Sequence, residues 1–331
     1  MSEERGDSTL ERNSQRLAYG ETIVALGAEN PNVVALEADL GKSTMSAMFQ
    51  KAYPDRYFEM GIAEANMIST AAGLAASGKI AFCSSFAVFA SGRAYDQIRQ
   101  TVAIGNLNVK ICGSSCGLSD FGDGSTHQAV EDVAIMSAIP NMTVFTPADA
   151  DETRLAVRAA SAIDGPVYIR IVRNDVPTYT KGEFVPGRLS ELRPGSDVAI
   201  VAHGAMIEAA MNAAAILETK GISARVINAG TMKPFDTEGI IALSEQVKAI
   251  VTAEDHSRIG GLAAQTAFAL RQSSTPMDYA AIEDKFGQSA HSLGELMEHY
   301  GLTDTAIVNK TTALLRKFRL YTNDTGKEFT T

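Results

Sequence analysis

"VVALEAD", residues 33–39, is an unbroken apolar run that closes on acidic residues, and its reading decides the fold. A short run of this kind has the form of a strand buried on both faces, with a functional loop at its carboxyl end. The pattern recurs in "KIAFCSS" (79–85), "NVKICGSS" (108–115), "MTVFTPAD" (142–149) and "PVYIRIV" (166–172). Helical stretches lie between these runs. The first, over residues 13–28, puts Leu17, Thr22, Ile23, Leu26 and Gly27 on one side and stops at "GAENPN", where Gly, Asn and Pro end helices. Strand and helix in alternation predict an α/β fold. Its parallel sheet is covered on both faces, and its ligands sit at the carboxyl ends of the strands.

A chain of 331 residues, at roughly 100 to 200 residues per domain, favours two domains. The first is expected over residues 10–180. From Thr178 to Ser196, "TYTKGEFVPGRLSELRPGS" loses apolar periodicity and gathers Gly, Pro and charge, so residues 181–196 are expected to be a linker. A second alternating set, "DVAIVAHG", "MIEAAMNAAAILETKG", "ARVINAG", "VKAIVTAED" and "GGLAAQTAFALRQ", predicts a smaller α/β domain over 197–322. No repeat of fixed short period and no low-complexity segment stands out.

Composition narrows the function classes. The 29 Lys and Arg against 39 Asp and Glu leave a net charge of −10 with no basic patch, which argues against a nucleic-acid partner. Cys83, Cys112 and Cys116 form no CxxC pair, so neither a disulfide framework nor a zinc site is expected, and a reducing compartment fits. The start, "MSEERGDSTLERNSQR", lacks the apolar core of a signal peptide. No run approaches the ~18 apolar residues needed to span a bilayer. The expectation is a cytoplasmic protein with no membrane contact.

Four stretches carry candidate chemistry. In "YFEMGIAEANM" (57–67), Glu64 sits among small and apolar residues where a helix begins. The helix dipole alone favours an acid in a first turn, so the residue reads either as an exposed charge or as a proton-handling group. "FCSSFAVFASGRAYDQIRQ" (82–100) spaces Phe86 and Phe89 three apart, as core or as a slot for a flat heterocycle. "GLSDFGDGSTHQAVEDVAI" (117–135) interleaves Gly117, Gly122 and Gly124 with Asp120, Asp123, Ser125, Thr126 and His127. That is a polar loop leading into a helix, with Thr126 as its candidate cap. Its "GDG" lacks the downstream Asn pair of a diphosphate and magnesium site. "IRIVRNDVPTY" (169–179) leaves Arg173 after a strand, able to meet a phosphate or to form a salt bridge. Asp39, Ser43 and the 117–127 loop lie at that same end of the sheet, so these weak signals converge. In the second domain, "TAEDHSRIGGL" (252–262) places Glu254, Asp255 and His256 before a Gly-opened helix, as an anion site or a domain contact.

Taken together, "GIAEANM", "SSFAVFASGRAYDQIR", "GDGSTHQ" and "NMTVFTPADADE" resemble the pyrimidine-binding half of transketolases and their thiamine-diphosphate relatives. The likeness runs on through that family's small C-terminal domain. The resemblance implies the C-terminal subunit of a split transketolase, with the thiamine diphosphate's diphosphate and its Mg2+ (or Ca2+) held mainly by a separate N-terminal subunit. It also implies a heterotetramer with a second copy of this chain, acting in carbohydrate metabolism on sugar phosphates such as those of the pentose phosphate class.

By resemblance, Glu64 matches the glutamate that bonds the pyrimidine ring nitrogen and so promotes loss of the thiazolium proton. A low-dielectric setting, which raises a carboxyl pKa, would suit it, and Met60, Ile62 and Met67 are its apolar neighbours. Phe86 and Phe89 match the aromatic positions around the pyrimidine, with Gly92 where a third aromatic often stands. Asp39 joins the cofactor group. Asp123 and His127 match the pair that contacts the donor's hydroxyls, His127 with a catalytic role. Arg16, Ser43 and Arg173 match the grip on the sugar phosphate, and Ser115, beside Cys116, stands where a histidine commonly joins them. The expected reaction is transfer of a two-carbon ketol unit from a ketose phosphate to an aldose. A 1-deoxyxylulose-5-phosphate synthase-like enzyme, a 2-oxo acid dehydrogenase beta subunit and a non-catalytic scaffold or regulatory subunit are the alternatives.

Overall fold

The runs rich in Val, Ile, Ala and Phe form strands because buried parallel strands tolerate apolar residues on both faces. The computed structural model describes residues 10–320. The last two residues of the expected second domain, 321–322, and the first nine of the chain lie outside them. One seven-stranded sheet runs in the order Thr231–Lys233, Thr143–Phe145, Val167–Arg170, Val109–Ser114, Ile80–Phe86, Val33–Glu37, Tyr57–Glu59. Its strands are parallel except Thr231–Lys233, which pairs antiparallel with Thr143–Phe145. A five-stranded sheet follows in the order Met277–Ile282, Ala249–Ser257, Val198–Ala202, Ala224–Asn228, Ser190–Arg193, the last strand antiparallel to its neighbour.

Two boundaries differ from the sequence expectation. The stretch 181–196 is not connection alone, since Ser190–Arg193 is an edge strand of the second sheet. An edge strand can be half-exposed and polar, which is why its apolar periodicity was faint. Conversely, Thr231–Lys233, from the second half of the chain, completes the first sheet. Lys233 reinforces the crossing by donating through Nζ to the Ser137 carbonyl at 2.9 Å.

The first helix, Gln15–Glu29, begins where the Ser14 side chain accepts the Leu17 N–H. Its buried face carries Ala18, Tyr19, Thr22, Ile23, Leu26 and Gly27. Leu17, expected on that face, is 40% exposed. It stands six residues before Ile23, which at 3.6 residues per turn rotates it roughly 120° away.

The two sheets meet through a buried charge cluster. Arg170 donates through Nε to both oxygens of Asp132 at 3.1 and 3.0 Å, and through Nη1 to Asp255 of the second domain at 2.7 Å. Tyr168 adds an O–H bond to Asp132 at 2.8 Å, and all four side chains are buried. Beside the cluster, the Ser257 N–H donates to the Val130 carbonyl at 2.7 Å. Glu152, from a helix of the first domain, accepts from Asn228 of the second at 2.8 Å.

Removing one partner of such a cluster strands buried charge. Arg170→Met should lower the unfolding free energy by roughly 3 to 5 kcal/mol. Arg158→Met, which breaks the exposed pair with Glu29, should cost under about 1 kcal/mol. Denaturant melts of both variants check the contrast, and equal losses would refute it.

Candidate active site

The carboxyl ends of the first sheet's strands carry most of the candidate residues. Gly61, with φ +67°, turns the chain after Tyr57–Glu59 into the helix Glu64–Ala76. Small residues on that helix let it press Met67, Ile68, Ala71 and Ala72 into the core. Its first residue, Glu64, goes in with them and is 1% exposed. The exposed-charge reading is thus excluded. The neighbours only partly match expectation: Met67 is buried, whereas Ile62 is 75% exposed and contributes little to the carboxylate's surroundings. Instead, Arg93 Nη1 donates to both Glu64 oxygens, at 3.0 and 2.9 Å.

Phe86 closes the strand Ile80–Phe86, and Phe89 opens a π-helical turn, Phe89–Arg93. Such wide turns recur at functional sites because they re-aim side chains. The two rings lie 6.2 Å apart and 12° from parallel. His127 meets both edge-on, at 6.2 and 5.2 Å between centroids, and the Arg93 guanidinium lies 4.6 Å from the Phe89 centroid. Glu64, Arg93, Phe89, Phe86 and His127 therefore form one continuous cluster. Gly92 is exposed, with nothing within 4 Å of where a Cβ would stand.

The loop that carries His127 is held from behind by the second domain. Gly117, at φ +56°, packs so closely on Asp255 that a Cβ there would overlap its carboxylate. Gln128 donates to the carbonyls of Asp120 and Gln288, at 3.1 and 3.0 Å. The following helix starts only at Asp132, with Glu131 at its N-cap position, so Thr126 is not its cap. Thr126 Oγ1 lies instead 2.9 Å from His127 Nδ1. Asp123 is exposed in the same loop.

Arg173 pairs with the nearly buried Asp120 at 2.8 Å. Burial lifts the Asp120 carboxyl above its usual range against the pull of Arg173. Arg16 donates to the Ser43 carbonyl at 2.9 Å, and burial, then repulsion from Arg173, lowers its guanidinium below the ordinary value. Its Nε is buried without a partner among the described residues, as are the hydroxyls of Ser85, Ser114 and Ser115. Ser115, at φ +54°, is fully buried beside Cys116, whose thiol burial pushes up.

Asp39, exposed and at φ +61°, is tied to the Glu64 turn by Glu59, whose Oε1 accepts from the Asp39 N–H at 2.8 Å and the Gly61 N–H at 3.0 Å. Glu37 anchors the neighbouring loop, accepting from Thr44 Oγ1 at 2.6 Å, Ser46 Oγ at 2.5 Å and the Ala38 N–H at 3.0 Å. In the second domain, Glu254 accepts the N–H groups of Leu262 and Ala263 at 2.7 and 2.8 Å, so that helix N-terminus already holds an anion of the chain itself. Asp255 serves the domain contact. Arg93, Glu37 and Glu59 were not singled out from sequence, and Asp120 was read only as part of the polar loop, not as the partner of Arg173. Only Arg93 left a local signal, four residues after Phe89 and hence on the same face.

Burial raises Glu37 and Glu152 to about 7, outweighing the hydrogen bonds they accept. Because the folded values exceed the ordinary carboxylate value of about 4.3, stability from these groups is complete below that pH and is lost as pH rises through about 7. The chain should thus lose stability between about pH 4.3 and 7, by at most roughly 4 kcal/mol per group. Glu37→Gln should flatten part of that slope in melts across the range. An unchanged slope would rule out Glu37 as a source.

Comparison with known proteins agrees with this geometry. Residues 12–178 match the family model of the transketolase pyrimidine-binding domain, and residues 187–307 that of the transketolase C-terminal domain. A putative transketolase C-terminal section from Methanocaldococcus jannaschii is 42% identical over 91% of this chain and 96% of its own length. A 6-deoxy-6-sulfo-D-fructose transketolase subunit from a Clostridium species is 41% identical, over 90% and 94%. A solved structure described as "Split gene transketolase, inactive beta4 tetramer" superposes with a TM-score of 0.83 at 45% identity, covering 91% of this chain and 98% of that one. With both domain models matched in order and nearly the whole described length covered, the chain belongs to the transketolase family, of which it carries the pyrimidine-binding and C-terminal domains.

Proposed function

We propose that this chain is one subunit of a two-chain, thiamine-diphosphate-dependent transketolase, transferring a two-carbon ketol unit from an anionic ketose to an aldose. The observation that carries the reading is Glu64, a buried carboxylate linked through Arg93 to the Phe86–Phe89 pair, with His127 at the edge of both rings. These residues fit the pyrimidine end of the cofactor: the slot suits a flat ring, and the carboxylate can share a proton with a ring nitrogen. Bound thiamine diphosphate supplies a thiazolium carbon that adds to a carbonyl and then accommodates negative charge. Glu64 would hold the proton at the pyrimidine nitrogen, while Phe86 and Phe89 orient that ring and exclude water. His127 and Asp123 would orient the donor's hydroxyls.

The diphosphate and its Mg2+ (or Ca2+) are assigned to an N-terminal partner subunit, with two copies of each chain. Support comes from a relative named as a C-terminal section and from the inactive tetramer of a split-gene homologue. Arg16, with its unpartnered Nε, together with Arg173 and the Ser43 loop would take the donor's terminal anion. A relative named for a sulfo-sugar supports a sulfonate there as well as a phosphate. Both are tetrahedral oxyanions that a guanidinium can grip through two N–H groups.

Glu64→Gln in the reconstituted two-chain complex should lower ketol transfer by at least ~100-fold while leaving the assembly's mass unchanged. Full turnover of that variant would exclude the reading in favour of a scaffold, and equal turnover by this chain alone would exclude the two-chain requirement. Pyruvate run beside the ketose phosphate separates ketol transfer from synthase or dehydrogenase chemistry. Arg16→Met should raise KM for an anionic ketose by roughly 10-fold or more and leave kcat within a few-fold. Steady-state kinetics check this, and an unchanged KM would move the anion site elsewhere.

A further inference from the structure

The Glu64 carboxylate already has a partner from the chain itself. The Arg93 guanidinium donates to both Glu64 oxygens, at 3.0 and 2.9 Å, and lies over the Phe89 ring at 4.6 Å. A guanidinium is flat, delocalised and rich in N–H donors, so it satisfies a carboxylate at its edge and an aromatic ring on its face. Those are the two contacts that a protonated nitrogen heterocycle would make with the same residues. Glu64 is 1% exposed while Arg93 is 49% exposed, so the arginine is the partner free to leave toward solvent.

We infer that Arg93 is a resident competitor for the pyrimidine, which must swing off Glu64 and Phe89 before the cofactor can engage them. This rests on the reading of Glu64 as the residue that meets the pyrimidine. The local backbone suits the movement: Arg93 ends a π-helical turn, and Gly92 beside it has open space where a side chain would stand. The contact also has a purpose in the separate subunit. A buried carboxylate with no counter-charge is costly, and Arg93 supplies one until another cationic group arrives. Cofactor binding then exchanges one pairing of Glu64 for another, and the arginine subtracts from the affinity. The charge and the stacking are both lost from the competitor in Arg93→Met. Arg93→Lys keeps the charge but loses the flat stack.

The test is calorimetric titration of thiamine diphosphate, with its metal ion, into the reconstituted two-chain complex carrying wild type, Arg93→Met, Arg93→Lys or Glu64→Gln. Arg93→Met should bind roughly three- to tenfold more tightly than wild type. Arg93→Lys should fall between them, and Arg93→Met added to Glu64→Gln should give no further gain. Thermal melts of the variants confirm intact folding, which the half-exposed position of Arg93 favours. Equal or weaker binding by Arg93→Met, with binding still weakened by Glu64→Gln, overturns the competitor and leaves the proposed function standing. Binding that Glu64→Gln leaves unchanged sinks both.

Discussion

Arg170 is the side chain on which the arrangement of the whole chain turns. It lies at the end of a central strand of the first sheet, fully buried, with Asp132 on one side and Asp255 of the second domain on the other. A buried guanidinium is tolerated only when its charge and donors are matched, so the two domains are held in one register by electrostatic necessity. That register brings Asp255 against Gly117, where a side chain larger than hydrogen would collide. The polar loop from Gly117 to Gln128 is consequently pressed between the domains. His127 emerges from it at the edge of the two phenylalanine rings.

The front of the site is built by a second kind of constraint. Two buried or bridging glutamates tie neighbouring strand ends together: Glu59 links the Asp39 turn to the Gly61 turn, and Glu37 binds the loop around Ser43. Each contacts backbone or hydroxyl groups, and none of these bonds takes a residue from the aromatic slot. The site thus rests on strand ends, while Arg93 and Arg173, both partly exposed, pair with buried acids beneath them.

Much of the fold was legible in short stretches. Apolar runs of four to seven residues specify buried strands wherever both faces are covered, and all five read in the first domain contain one. The gathering of Glu64, Phe86, Phe89 and His127 was also foreseen. Three of these lie beside a strand end or a helix start, where local spacing controls direction. Less was visible where the partner is remote in sequence. Asp120 and Arg173 are 53 residues apart, and Arg170 and Asp255 are 85 apart. The edge strand Ser190–Arg193 escaped notice because a polar edge carries no strong hydrophobic period. Leu17 was misplaced because it was grouped by apolar character ahead of helical angle.

Composition, period and motif order determined the α/β class, the two-domain division in outline and the family, because these depend on local hydrophobic patterning and on residues close in the chain. The tertiary structure alone decided that Thr231–Lys233 crosses back to the first sheet, that Glu254 fills its own helix terminus, and that Asp255 locks the domains. It also decided what faces Glu64. An acid in a helix's first turn is equally compatible with water and with the interior. Packing buried it, and burial made a counter-charge necessary, which Arg93 supplies.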